Sequence, residues 1–159
     1  MQPRLLNIRR LAEENPRGFS IAAYQRHYVW GQHREGDKDS AAYLTQCLID
    51  ACRTGRDYFL QSITVHGRHL VDGQQRITYL KLLLHALGST IGIPITFERR
   101  KDAERWLADI PEEMAMDTDE ESQDIYFYKH TLNTIHELLD ESGIEKKEML
   151  MHVLEHTSV

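Results

Sequence analysis

The chain has 159 residues, of which 41% are hydrophobic and 28% charged, and its formal net charge is −6. That length can bury a core without disulfides. The sequence has neither a signal peptide nor an apolar run near the roughly 20 residues of a membrane span. The sequence therefore predicts a single cytoplasmic domain with no membrane partner. Residues 112–159 hold thirteen acidic residues against three lysines, which argues against DNA binding over the whole surface, although six arginines in residues 1–34 leave a local contact with DNA open.

Apolar periodicity and breaker residues predict alternating helices and strands. In chain order these are a helix near residues 5–11, a strand at 19–21, a helix over 43–51 ended by Gly55, a strand over 59–65, a hairpin turn at 66–68, a strand at 69–71, a helix over 77–87 ended by Gly88, a strand over 93–97, a helix over 102–109, a mobile acidic loop over 111–124, a helix over 125–139 ended by Gly143 and a helix over 145–156. This alternation predicts an α/β (α+β) fold with a helical C-terminal part.

The most informative stretch is Asp72-Gly73-Gln74-Gln75-Arg76, called the 72–76 motif below, which joins an apolar strand to a leucine-rich helix. Glycine permits a tight turn and close approach of a ligand to the backbone. The first turn of a helix offers unpaired N–H groups and a dipole that favours an anion. Arginine adds a forked donor for phosphate oxygens. The pattern is typical of a phosphate site, but equally of an Asp-Gly turn before a helix, with the amides solvated.

A second block, residues 24–30, reads Tyr-Gln-Arg-His-Tyr-Val-Trp, and residues 58–65 read Tyr-Phe-Leu-Gln-Ser-Ile-Thr-Val. With the 72–76 motif, these blocks resemble the N-terminal domain of the GmrSD-type, modification-dependent restriction enzymes. The family pattern is Tyr-Gln-Arg-x-Tyr-x-Trp, then Phe-Leu-Gly-Ser-Ile, then Val-Asp-Gly-Gln-Gln-Arg-Leu-Thr-Thr-Leu. The resemblance implies a ParB/sulfiredoxin-like fold, a small mixed sheet with surrounding helices. Residues 1–110 would form the nucleotide-binding core, and residues 111–159 the acidic loop and C-terminal helices of the same domain.

The chain departs from the family pattern at four places. Ala22 and Ala23 replace the proline before the first tyrosine, Gln61 replaces the strand glycine, and Tyr79 replaces the second threonine. Longer members continue into a Phe-Glu-x-x-Asn-x-Arg-Gly segment and a nuclease region, so we expect this chain to be truncated relative to them and to carry no nuclease activity itself. A partner chain would supply the nuclease.

The resemblance implies binding and hydrolysis of a nucleoside triphosphate (NTP) with Mg²⁺. Asp72, Gln75 and Arg76 are the candidate catalytic residues, and Asp72 is also the candidate metal ligand, directly or through water. We expect Tyr24, Tyr28 and Trp30 to stack on a base, although a core position is equally expected for Trp30. The full set of candidate nucleotide-binding residues is Tyr24, Gln25, Arg26, Tyr28, Ser62, Gly73, Gln74 and Thr78.

Three functional classes follow from these observations. The first is an NTP-hydrolysing or NTP-sensing regulatory domain of a phage-defence restriction system. The second is a ParB-like module in which a bound nucleotide gates contact with DNA or a partner without turnover. The third is a degenerate, truncated family member. The intact 72–76 motif favours the first two, whereas the expected truncation of the C-terminal part favours the second or third.

Cysteine and histidine spacing adds no metal or redox site. Cys47 and Cys52 lie five apart in a predicted helix and so point to different faces, which disfavours a disulfide or a metal pair. His152 and His156 are four apart on the last helix, and we expect them to be exposed polar residues.

Overall fold

The computed structural model describes residues 2–31, 39–115 and 121–159. The described helices and strands are α1 (Ile8–Glu14), β1 (Phe19–Ile21), α2 (Ser40–Thr54), β2 (Tyr58–Phe59), β3 (Thr64–His66), β4 (His69–Asp72), α3 (Gln74–Ala86), β5 (Ile95–Phe97), α4 (Lys101–Ala108), α5 (Gln123–Ser142), α6 (Lys146–His156) and β6 (Thr157–Ser158). The prediction of an α/β fold with a small mixed sheet and surrounding helices is confirmed.

The larger sheet has the strand order β3-β4-β1-β5. Strand β1 runs parallel to both neighbours, with Ser20 opposite His69, whereas β3 and β4 form the predicted antiparallel hairpin. Parallel strands end at the same edge of a sheet. The chain therefore leaves β1 after Ile21 and β4 after Asp72 at one edge, which brings residues 22–30 beside the 72–76 motif.

Helix α3 lies at the centre of the core. Its fully buried apolar side chains point in every direction around the axis, as expected for a helix covered on all sides; they are Ile77, Tyr79, Leu80, Leu82, Leu83 and Leu84. Helix α5 contacts α2, α3 and α4, and α6 contacts α1 and α2. The helices that follow residue 120 therefore pack on the same core as the sheet.

Helix boundaries agree with the sequence at their C-terminal ends and differ at the first helix. Gly55 and Gly143 end α2 and α5 in the left-handed conformation. Helix α1 begins only at Ile8, because the side chain of Asn7 caps it. The prediction that residues 5 and 6 are helical is wrong, since the backbone of Leu6 exchanges hydrogen bonds of 3.1 and 2.9 Å with Val159.

The predicted strand over residues 59–65 is also wrong. Gln61 has φ +79°, a left-handed conformation that a continuous strand cannot contain. The segment is split into β2, which pairs in parallel with β6, and β3, which pairs with β4. Strand β6 was not predicted because two residues are too few to show a pattern. The predicted strand over 93–97 begins later, at Ile95.

The last helix corrects one further expectation. His152 is buried rather than exposed, and burial lowers the pKa of its imidazole. Its ring stacks on that of His156 at 5.1 Å. His156 is exposed as predicted, and its Nδ1 lies 2.8 Å from a carboxylate oxygen of Asp57.

Other expectations concern loops, cysteines and membranes. In the predicted mobile loop, residues 116–120 lie outside the described residues, and the loop ends earlier than predicted because Gln123 begins α5.

Cys47 and Cys52 are free thiols, so no disulfide joins them. Across the described ranges, none of the helices combines the length and apolar character needed to cross a bilayer.

Candidate functional site

Residues 24–30 and the 72–76 motif meet at the sheet edge where β1 and β4 end. They enclose a cleft of about 250 Å³, called the motif cleft below. The residues that line it are Tyr24, Gln25, Arg26, Trp30, Val71, Asp72, Gly73, Gln74, Gln75 and Arg76. The carboxyl end of strands in an α/β sheet is where ligands commonly bind. The fold thus brings most of the predicted site residues together.

Gln25 and Gln74 join the two blocks through their side-chain amides. The Nε2 of Gln25 donates to the backbone carbonyl of Leu70, and the Nε2 of Gln74 donates to that of Arg26 at 3.0 Å. Gln25 therefore holds the strand that leads into the 72–76 motif, and Gln74 holds the backbone of the 24–30 segment.

Gln75 strengthens the same link from a buried position. Its Oε1 accepts from the backbone N–H of Val29 at 2.9 Å, and its Nε2 donates to the carbonyl of His27 at 3.1 Å. Both amide atoms are thus occupied by backbone. A direct catalytic contact of Gln75 stays a prediction, whereas its observed contacts position the segment that carries Arg26.

Arg76 lies at the rim of the motif cleft, with most of its side chain buried. Its guanidinium donates to the carbonyl of Ser62 at 2.6 Å and approaches Asp72 at 3.3 Å and the Gln61 side chain at 3.5 Å. Its Nε has no partner among the described residues. The carboxylate of Asp72 is 71% exposed, so solvent screens this ion pair and the pair contributes little to stability.

Gly73 precedes the first turn of α3 in a conformation that only glycine adopts without strain. Its φ is +98°, and a Cβ at this position would lie 2.5 Å from Cγ2 of Ile63. Having no side chain, Gly73 provides no cap for the N–H groups of the first turn. Those groups are the natural partners of an anion.

The arginines supply the charge for such an anion. Arg26 is exposed, and its guanidinium makes no hydrogen bond or ion pair with the described residues. It lines the same cleft as Arg76 and as the N-terminus of α3. The arrangement combines two guanidinium groups, a helix N-terminus and one exposed carboxylate, a set that suits a phosphate group carrying a cation.

The family of the chain follows from a comparison with models of protein families. The model of the GmrSD restriction endonuclease N-terminal domain matches residues 8–156. The chain belongs to this family. The comparisons with curated proteins and with solved structures found no match. Membership indicates a component of a restriction system.

The structure shows why the GmrSD family pattern has glycine at the position of Gln61. Where the pattern has glycine, this chain has Gln61 at φ +79°, and a left-handed residue other than glycine costs about 1–2 kcal/mol. The turn at Gln61 brings the carbonyl of Ser62 to Arg76. Glycine in the family pattern is thus the residue that this turn favours.

We expect Gln61→Gly to stabilise the domain. Relief of backbone strain exceeds the added unfolded-state entropy of glycine, about 0.5–1 kcal/mol, so the net gain is up to about 1 kcal/mol, or about 2–4 °C in Tm. Thermal unfolding followed by circular dichroism measures it. Gln61→Ala removes the amide but keeps the strain and should give no gain. Equal stabilisation by both substitutions would contradict the strain argument.

Three predicted site residues lie away from the motif cleft. Tyr28 is buried, its hydroxyl is 3.0 Å from Oγ1 of Thr131, and burial raises the pKa of that hydroxyl well above its usual value; this position does not fit stacking on a base. Thr78 is buried in α3. Ser62 is exposed and contributes its backbone carbonyl to Arg76.

The two remaining aromatic candidates line the cleft. Tyr24 is 80% exposed at its mouth. Trp30 is partly buried, and its ring centroid lies 5.9 Å from that of Tyr79. Trp30 therefore packs on the core and also lines the cleft, while its stacking on a base stays a prediction.

Asp124 is the site residue that the sequence did not reveal. It is 1% exposed and accepts hydrogen bonds from Arg100 at 2.8 and 2.9 Å and from the backbone N–H of Tyr28 at 2.8 Å, while His27 Nδ1 lies 2.8 Å away. It thereby ties the segment that lines the cleft to α5. The residues next to Asp124 in the sequence carry no pattern that predicts partners almost a hundred residues away.

Asp72 is the candidate metal ligand. The described ranges contain no group of three or more His, Cys, Asp or Glu residues able to hold a metal ion. Mg²⁺ in nucleotide sites is commonly held by one or two carboxylates, substrate phosphates and water. A single exposed carboxylate is what Mg²⁺ that arrives with a nucleotide would require of the protein.

Proposed function

We propose that this domain binds an NTP with Mg²⁺ in the motif cleft and hydrolyses it, as the regulatory part of a modification-dependent restriction system whose nuclease lies in a partner chain. The observation that supports the proposal most directly is the convergence of Arg26, Arg76, Asp72 and the glycine-preceded N-terminus of α3 on one cleft. These groups come from two segments far apart in the sequence, which a simple turn before a helix does not require.

Phosphoryl transfer assigns roles to the groups that line the motif cleft. N–H groups at the start of α3 bind phosphate oxygens, and Arg26 and Arg76 neutralise the charge that develops as the phosphoryl group transfers. Asp72 would hold Mg²⁺, directly or through water, and the ion would supply further charge neutralisation at the phosphate oxygens. A water oxygen attacks the γ-phosphorus, and the bond to the β–γ bridging oxygen breaks with its electron pair leaving on the diphosphate. Asp72 orients that water and accepts its proton.

Binding without turnover is the second candidate. The amides of Gln25, Gln74 and Gln75 all hold backbone atoms, so the motif supplies few fixed groups to orient water. In that case the nucleotide acts as a gate for a contact with DNA or a partner protein, and phosphate release does not accompany binding.

Nucleotide binding is best tested with Arg26→Ala. A ligand at a hundredfold excess over its Kd stabilises the folded state by about 2.7 kcal/mol, so each NTP with Mg²⁺ is screened for a rise in Tm, and affinities follow from isothermal titration calorimetry. We expect Arg26→Ala to weaken binding about 10- to 100-fold and to leave the Tm of the free protein unchanged.

Arg17→Ala is the matched control, because Arg17 is also an exposed arginine of the N-terminal part but lies outside the motif cleft. It should bind nucleotide like the wild type. No rise in Tm with any NTP in a folded sample would contradict the proposal. Binding without phosphate release would support the second candidate instead.

A further inference from the structure

A second cleft of about 430 Å³, called the aromatic cleft below, adjoins the motif cleft. The two clefts share Trp30 and Arg76 as lining residues. Beyond these, the aromatic cleft is lined by Tyr43 and Leu44 of α2 and by the segment that starts with Tyr58 and Phe59. A ligand that contacts Arg76 from the motif cleft is therefore next to an aromatic surface.

Two of the aromatic side chains that line this cleft are exposed to solvent. Tyr43 is 58% and Phe59 is 56% exposed. Exposed apolar side chains that line a concavity are a feature of ligand-binding grooves. Aromatic faces in such a groove are the usual partners of nucleic acid bases, which stack on them regardless of base identity.

The dimensions also favour a shared ligand. Pockets for small molecules commonly enclose about 300–1,000 Å³, whereas the motif cleft encloses about 250 Å³. It accommodates phosphates but is small for a whole nucleotide. The aromatic cleft, which shares Arg76 with the motif cleft, supplies the missing volume.

We infer that the aromatic cleft binds the base of the nucleotide whose phosphates occupy the motif cleft. This inference rests on the proposed function and adds a base subsite to it. Phe59 and Tyr43 present apolar surface to the base, Trp30 forms the wall between the two clefts, and Arg76 lies at the junction, where the sugar and the α-phosphate pass. Stacking on one aromatic ring contributes about 5- to 150-fold in affinity.

The test compares a ligand that has a base with one that lacks it. Calorimetric titration of the wild type with NTP and with tripolyphosphate, each with Mg²⁺, should show at least tenfold tighter binding of the NTP. Phe59→Ala should remove most of that preference and leave the affinity for tripolyphosphate unchanged. Tyr43→Ala serves as a second variant with the same expected effect, in case one of the two substitutions disturbs folding.

Tyr126→Ala is the control, because Tyr126 is a partly exposed aromatic residue on α5 that lies outside both clefts. It should keep the NTP preference. Equal affinity of the wild type for both ligands, or an unchanged preference in Phe59→Ala and Tyr43→Ala, overturns the base subsite while the phosphate site stands. Failure of the wild type to bind either ligand overturns the proposed function itself, and the base subsite with it.

Discussion

Asp124→Ala is expected to lower the free energy of unfolding by about 3–5 kcal/mol, the range for removing one partner of a buried ion pair. The substitution leaves the guanidinium of Arg100, whose side chain is 16% exposed, without its carboxylate. It also leaves the backbone N–H of Tyr28 without an acceptor. Because small domains are stable by only about 5–15 kcal/mol, the loss is a large part of the total.

Urea unfolding followed by circular dichroism measures this loss. Asp50→Ala is the matched control, since Asp50 is an exposed carboxylate 3.9 Å from Arg53, and surface ion pairs contribute about 0–1 kcal/mol. A loss in Asp124→Ala no larger than in Asp50→Ala would contradict a stabilising role for the contacts of Asp124 with Arg100 and Tyr28. The nucleotide affinity of Asp124→Ala should fall too, because Asp124 holds the segment that carries Arg26.

The contrast between Asp124 and the 72–76 motif shows what the sequence alone can predict. The motif is local, so the turn, the glycine and the charge are visible in five consecutive residues. Its convergence with residues 24–30 followed from the family resemblance, not from periodicity. The partners of Asp124 are distant in sequence, and no spacing rule relates them.

The strands show the same limit. Helices α2 and α5 extend over several turns, so their apolar stripes and terminal glycines predicted them well. The segment around Gln61 reads as a continuous strand because alternation reports side-chain polarity but not backbone angle. Its left-handed conformation is set by the pairing of β2 with β6 on one side and of β3 with β4 on the other.

Arg76→Ala is expected to abolish the rise in Tm with NTP and to reduce phosphate release about 100- to 1,000-fold, the range for removing one group that stabilises a transition state. Phosphate release is followed by a coupled spectroscopic assay, with every protein at the concentration of NTP and Mg²⁺ that saturates the wild type. Arg76→Lys keeps the charge but loses the forked geometry, so we expect it to retain binding better than turnover.

Arg76 also has a structural contact, and the test must separate the two roles. Its guanidinium donates to the carbonyl of Ser62, so Arg76→Ala lowers stability even if the domain binds no nucleotide. Arg68→Ala is the matched control, because Arg68 donates to the backbone carbonyls of Gly18 and Arg17, outside the motif cleft. Both variants should lose Tm in the free state, since each loses a bond from guanidinium to backbone. A response to nucleotide lost in Arg76→Ala but kept in Arg68→Ala assigns the phosphate role to Arg76, whereas the same response in both variants leaves Arg76 only its contact with Ser62.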